Sequence, residues 1–208
     1  MREGRAEIIM ESKSVFIAGS TYVADDFDMK DFTHIRAYHG CRPLDIGTYQ
    51  AKGICSITYE DAKQELLDRF QNSNISPKRL LEVFEKHWED LKDIQKGVWF
   101  TLTKKELLEE SGHYLIAGSE FLLSIATELF CQYELRKVGT PTILCCDVPV
   151  NLISPFWLKT LQQAIETGSF NPCGFKISGP LPAEDIINME FPTRIKDPHN
   201  GYRTYHIQ

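Results

Sequence analysis

A short apolar run in the second half of the chain places the strongest constraint on the fold. In residues 142–148, apolar side chains occur at both the odd and the even positions. A strand here would therefore be buried on both of its faces. The residues Gly139, Thr140 and Pro141 end whatever element comes before it. We therefore expect residues 142–148 to form a central strand of a sheet that is covered on both sides.

Further strands and helices follow from the same kind of pattern. Strands are predicted at 14–17, 33–40, 97–102, 174–177 and 185–191. Helices are predicted at 58–71, from Ser76-Pro77 to 91, at 103–110, at 113–135 and from Pro155 to 168, with one helical turn between 43 and 53. This order predicts an α+β domain with helices inserted between strands.

Composition limits the number of domains and the class of partner. The chain has 208 residues and a net charge of −6, which fits one domain over 1–208 and disfavours a generally basic nucleic-acid binder. Within it we expect an N-terminal cover at 1–30 with an acidic patch at Asp25, Asp26 and Asp28, a helical insertion at 55–95 and a polar tail at 192–208. The longest apolar runs are too short to span a membrane, and the charged first 13 residues do not resemble a secretory signal. A cytoplasmic protein without membrane contact is expected.

The cysteines indicate core residues and not metal ligands. The six are Cys41, Cys55, Cys131, Cys145, Cys146 and Cys173, and no two are spaced as C-x-x-C. No metal site is therefore expected, and all six are interpreted as reduced thiols. Cys145 and Cys146 fall in the predicted central strand, with side chains on opposite faces. A thiol nucleophile at Cys41 beside His39 is disfavoured, because Gly40 interrupts the strand between them.

The stretch that is richest in side chains able to bind or react lies at the end of the strand predicted over 33–40. It places Tyr38, His39 and Gly40 at a strand end, followed by Cys41 and Arg42 in a loop. Binding groups often lie on loops held by a sheet, and glycine allows a ligand to approach closely. The alternative is structural: His39 caps a nearby carbonyl group.

Three short motifs occur in a fixed order. The first is Tyr38-His39-Gly40, followed by Gly53-Ile54. The second is Gly97-Val98-Trp99-Phe100, followed by Tyr114 at the start of a helix. The third is Glu184 entering a late strand. Together they resemble the ADP-ribosyltransferase superfamily of the His-Tyr-Glu type, which includes poly(ADP-ribose) polymerases and diphtheria-like toxins. The resemblance covers 35–190 and implies a split mixed β-sheet of that fold with inserted helices.

The resemblance implies NAD as the substrate and assigns a role to each motif residue. Glu184 would stabilise the charge on the ribose, His39 would bond a ribose hydroxyl, and Tyr114 would stack on the nicotinamide ring. The other residues implied to contact the cofactor are Tyr38, Gly40, Arg42, Lys52, Trp99 and Phe100. The acceptor would be a protein or a nucleic acid. An enzyme of this kind can be a bacterial toxin or a phage-defence effector, with an antitoxin or immunity protein as a further partner.

Several alternatives stay open at this level. The carboxylate could also be Asp185, Glu190 or Glu120, the last being either in the cleft or solvated on its helix. Tyr114 could be an ordinary buried tyrosine. The whole domain could keep the fold without turnover, or act as an RNA 2′-phosphotransferase-like enzyme, which shares the fold and uses NAD without the glutamate. Rossmann and P-loop modes of nucleotide binding are excluded, because neither glycine-rich motif occurs.

Overall fold

The apolar run that begins at Thr142 is a central strand, as predicted. In the computed structural model, which describes residues 12–23, 27–169 and 174–207, it pairs along its whole length with the strand that carries His39. The strands are β1 (Val15–Phe16), β2 (His34–Cys41), β3 (Trp99–Thr101), β4 (Thr142–Pro149), β5 (Gly174–Lys176), β6 (Ile186–Glu190), β7 (Arg194–Asp197) and β8 (Arg203–His206). The helices are α1 (Gly47–Lys52), α2 (Tyr59–Phe70), α3 (Pro77–Asp90), α4 (Lys104–Glu109), α5 (His113–Ala117), α6 (Glu120–Glu128), α7 (Gln132–Leu135) and α8 (Pro155–Glu166).

The predicted strands join into one mixed sheet. Its order is β5-β3-β2-β4-β6, all antiparallel, and β1 pairs in parallel with the start of β2. The fold is therefore of the α+β class with a largely antiparallel sheet. No helix within the described ranges is both long and apolar enough to cross a membrane.

The sheet has two unlike faces, because side chains alternate along each strand. The core face packs on α8 and on Tyr49 of α1, and its β2 residues are Ile35, Ala37, His39 and Cys41. The opposite face, called the polar face below, carries Arg36, Tyr38 and Gly40 on β2, Cys145 and Asp147 on β4, and Asn188 and Glu190 on β6. Cys145 and Cys146 are both buried and lie on opposite faces, as predicted.

The helices form a second core beside the sheet. Its buried members come from α2, α3, α5, α6 and α7 and include Leu66, Phe84, Ile125 and Leu135. Their boundaries follow the predicted capping residues: Ser76 accepts a hydrogen bond from the Arg79 N–H, and Thr103 accepts one from the Glu106 N–H. The helical region predicted at 55–95 is thus made of α2 and α3.

The long helix predicted at 113–135 is wrong. The segment forms three short helices, α5, α6 and α7, because the chain turns at Gly118, where φ is 95°, and again at Phe130, where φ is 53°. Ser119 begins α6 by accepting a hydrogen bond from the Leu122 N–H. A glycine followed by a serine is a helix stop and a new N-cap, which the continuous apolar pattern concealed.

The C-terminal segment is more than a polar tail. β7 and β8 form a hairpin, and the fully buried Ile195 packs with Leu107, Leu115 and Ile143 at one end of the polar face. The single apolar position between charged residues gave too weak a signal to predict this. Three predictions lie outside the described residues: the acidic pair Asp25-Asp26, the reduced state of Cys173, and the cover as far as residue 11.

Candidate functional site

His39 lies near the end of β2 and serves as a cap for a carbonyl group. Its Nδ1–H donates to the Trp99 carbonyl oxygen at 2.8 Å, which leaves Nε2 as an acceptor. Burial lowers the pKa of His39 below its ordinary value, and the bond to Trp99 offsets part of that effect. The ring is therefore neutral at pH 7. This contact is the structural alternative considered for His39.

The strands that carry the first two motifs separate beside His39. β2 and β3 have one registered pair, Tyr38 with Thr101, and within these described strands the register does not continue to Gly40 and Trp99. The His39 imidazole spans the gap between them. The registered pairing of β2 with β3 thus ends where the sequence places its first two motifs.

Gly40 is packed closely on the polar face. A Cβ atom added there would lie 3.0 Å from Leu107 Cδ2 and 3.5 Å from Tyr114 Cβ. A side chain at position 40 would meet Tyr114 of α5, so these two motif residues lie close together. The Tyr114 hydroxyl is hydrogen-bonded to Glu120. Burial, and to a smaller extent the nearby Glu120 carboxylate, raises the pKa of Tyr114.

The structure does not bring His39, Tyr114 and Glu184 together. His39 lies on the core face and Tyr114 on the polar face, while Glu184 is exposed in the turn Ala183–Asp185. The neighbouring Asp185 lies 4.0 Å from His34, at the start of β2, whereas His39 is near its end. At about 3.3 Å per residue, Glu184 is on the order of 15 Å along the strand direction from the level of His39.

Another candidate carboxylate does lie level with Gly40. The register places Gly40 opposite Ile143 of β4, and Ile143 opposite Glu190 of β6, so all three share one row of the polar face. Two strand spacings separate Gly40 from Glu190, or about 10 Å. Both oxygens of Glu190 accept from Lys104 Nζ, at 2.8 and 2.7 Å.

Glu190 and Lys104 form a polar-face cluster with Tyr38 and Cys145. The bond to Glu190, together with the charge of that carboxylate, raises the pKa of Lys104. Burial raises the pKa of Tyr38 and of Cys145, so both remain protonated at pH 7. Lys104 and Glu190 keep more than a third of their side-chain surface exposed, so a ligand can reach them.

Two of the predicted ligand residues have structural roles instead. Arg42 is 4% exposed, and its guanidinium donates to the backbone carbonyls of Val138, Leu115 and Arg136. Phe100 is 1% exposed and stacks on Phe175 in the core. Neither can contact a pyrophosphate or a nicotinamide ring without disrupting the packing around it.

The remaining predicted ligands stay at the surface or near it. Lys52 is exposed at the end of α1, and Trp99 is half-buried with its ring edge-on to Trp157. Cys41 is buried, and burial raises the pKa of its thiol to about 12, which argues against a nucleophile there.

A charged group at the start of β2 was missed. Arg36 Nε donates to Asp147 Oδ1 at 2.5 Å, and Lys13 Nζ lies 3.3 Å from Asp147 Oδ2 and 3.1 Å from Asp185 Oδ1. A carboxylate inside the apolar run 142–148 was the signal, since a buried charge needs a partner on the facing strand. Among the residues the structure describes, no group of three or more His, Cys, Asp or Glu side chains is arranged to hold a metal ion.

Comparison of this chain with protein-family models, with curated proteins and with solved structures finds no match.

Proposed function

We propose that the chain is an NAD-consuming ADP-ribosyltransferase whose reacting carboxylate is Glu190. The observation that carries this choice is the row of the polar face in which Glu190 lies level with Gly40, whereas Asp185, the neighbour of Glu184, lies beside His34 at the start of β2. The order of the first two motifs along the chain supports the class of enzyme, and the end of the registered pairing of β2 with β3 beside His39 supports the position of the cofactor.

The chemistry requires a carboxylate close to the ribose of NAD. The bond between the nicotinamide nitrogen and ribose C1′ breaks, its electron pair leaves with nicotinamide, and positive charge develops on the ribose. Glu190 would stabilise that charge and accept the proton that the acceptor loses as it bonds to C1′. Tyr38, half-buried beside Glu190, offers an aromatic surface to the cofactor.

Lys104 gives the site a way to respond to NAD. In the structure it neutralises Glu190 through two hydrogen bonds. A pyrophosphate carries two negative charges, so a bound cofactor would draw Lys104 away from Glu190. The Glu190 carboxylate would then lie beside the ribose without its cationic partner. Lys104→Met should therefore weaken NAD binding about tenfold, the usual effect of one charge-assisted contact, as titration calorimetry would show. Lys105→Met, an exposed neighbour on the same helix, is the control and should bind NAD normally.

Transfer of label from NAD tests the proposal. The purified chain is incubated with a cell lysate and NAD labelled on its adenylate phosphate, and the products are digested with protease or with nuclease. The label should move into macromolecules, and the digestion that releases it identifies the acceptor as protein or nucleic acid. No consumption of NAD in any lysate would contradict the proposal.

A non-catalytic binding domain is the second candidate, and one observation favours it. Leu107 and Leu115 fill the space in front of Gly40, where a cofactor that contacts this backbone would lie. A domain that kept the fold but lost turnover would show this closure. It predicts that calorimetry detects no NAD binding, or detects binding without any release of nicotinamide.

A further inference from the structure

A second polar site lies outside the polar-face cluster. A cavity of about 820 Å³ is bounded by α5, α6, α7 and the turn Pro198–Asn200. None of its described lining residues belongs to the cluster of Tyr38, Lys104 and Glu190. The proposed transfer reaction gives this cavity no role.

The carboxylates around the cavity differ in their cationic partners. Arg136 Nη2 lies 2.7 Å from Asp197 Oδ2, and Lys86 Nζ lies 3.0 Å from Glu128 Oε2, so two of the lining carboxylates have cationic partners. Glu120 is the remaining carboxylate among the described lining residues. Glu120 contacts the imidazole of His113 and the phenol of Tyr114, and its side chain is 61% exposed. Among the described lining carboxylates, Glu120 is therefore the one that has no lysine or arginine partner.

His113 adds a buried hydrogen-bonding atom without a partner. The residue is 9% exposed, its Nε2 lies 3.3 Å from Glu120 Oε1, and neither ring nitrogen makes a hydrogen bond to a described residue. The neutral form of an imidazole has one acceptor nitrogen, and in His113 that nitrogen has no donor among the described residues. The ring of the exposed His199 lies edge-on to His113, with 5.0 Å between the ring centroids.

We infer that this cavity binds a guanidinium cation, with Glu120 pairing with its charge and a ring nitrogen of His113 accepting one of its N–H groups. A guanidinium has five N–H donors in one plane and no acceptor, which suits two acceptors that lie side by side. The amide oxygens of Gln132 and Asn200, which also line the cavity, can accept further N–H groups. The inference does not depend on the transferase proposal.

The ligand could be a free guanidino compound or an arginine side chain of a polypeptide, and calorimetry on the full chain separates the two. Agmatine represents the first source, and a short peptide with one central arginine represents the second. The matched control peptide carries citrulline, which has nearly the same shape but no charge. We expect saturable binding of at least one guanidinium probe, and binding at least tenfold weaker for its uncharged counterpart.

Two variants locate the contact. Glu120→Gln should weaken binding at least tenfold, whereas Glu110→Gln, an exposed carboxylate outside the cavity lining, should leave the affinity unchanged; thermal unfolding of both checks that they are folded. The inference is overturned if neither guanidinium probe binds, if citrulline binds as well as arginine, or if Glu120→Gln binds like the wild type. The citrulline comparison uses the unaltered chain, so it decides the question even if a variant misfolds.

Discussion

Burial decides which side chains of a recognisable motif are free to bind a ligand. Arg42 and Phe100 both lie in stretches whose sequence suggests a cofactor site, yet one is fixed by three carbonyl groups and the other is part of the core. Lys104 and Glu190 are ordinary charged residues in the sequence, and only strand register and the position of α4 bring them together. The sequence therefore identified side chains that are able to bind a ligand, but it could not show which of them are buried in structural roles.

Replacing Arg42 tests its structural role. Arg42→Met leaves three backbone carbonyls without their charged donor, so the free energy of unfolding should fall by about 3 kcal/mol. Urea denaturation would measure the loss, with Lys52→Met as an exposed control that should change stability by less than about 0.5 kcal/mol. If Arg42→Met kept full stability and lost only NAD affinity, Arg42 would be a ligand after all.

The neutral state of His39 predicts a dependence of stability on pH. Burial lowers its pKa in the folded chain, so the unfolded chain binds the proton first as the pH falls. The stability from this residue is complete above the unfolded pKa of about 6.5 and is lost as the pH falls through the lower folded value. His34, whose pKa is also lowered by burial and by Lys13, contributes with the same sign.

Denaturation at pH 7.5 and 5.5 should separate the two histidines. His39→Asn keeps a donor for the Trp99 carbonyl but cannot titrate, so it should lose less stability between these pH values than the wild type does. His34→Asn is the matched comparison, and the effects of the two substitutions should add if the sites are independent. An unchanged pH dependence in His39→Asn would show that this ring is not held neutral.

At the level of helices and strands, periodicity and capping predicted most of the elements that the structure contains. The exceptions have local causes. A positive φ at Gly118 and the N-cap at Ser119 split a helix whose apolar stripe looked continuous. The hairpin of β7 and β8 is held by one buried isoleucine and by the pair Arg136–Asp197, and contacts between distant segments leave little trace in a local pattern.

Gly53 fixes the end of helix α1 against the backbone near Leu181. It ends α1 with φ 72° and ψ −153°, and an added Cβ would lie 2.0 Å from the Leu181 carbonyl oxygen. Gly53→Ala should therefore cost about 3 kcal/mol of unfolding free energy, through backbone strain and a clash with main chain. Gly168→Ala, with φ 64° and open space around it, should cost only about 1 kcal/mol. Equal losses in the two variants would contradict the packing of Gly53 on residue 181.

At the scale of the whole molecule, the sequence predicted an α+β domain around a central strand. It also contains the three short motifs in a fixed order. It did not predict which carboxylate lies level with Gly40, because that depends on the register of β6 against β4 and on the bulge between Cys145 and Cys146. Glu184 and Glu190 are six positions apart in one segment, yet they lie towards opposite ends of β2. The site is therefore defined by strand register more than by local motif.

The pair Glu190→Gln and Glu184→Gln tests the central claim most directly, through the rate of ADP-ribosyl transfer from labelled NAD. A group that acts mainly in the transition state contributes more to turnover than to binding. We predict that Glu190→Gln stays folded, binds NAD as well as or better than the wild type because Lys104 is released, and transfers about a hundredfold more slowly. Glu184→Gln should keep its activity. Full activity in Glu190→Gln, whether or not Glu184→Gln loses it, would contradict the account.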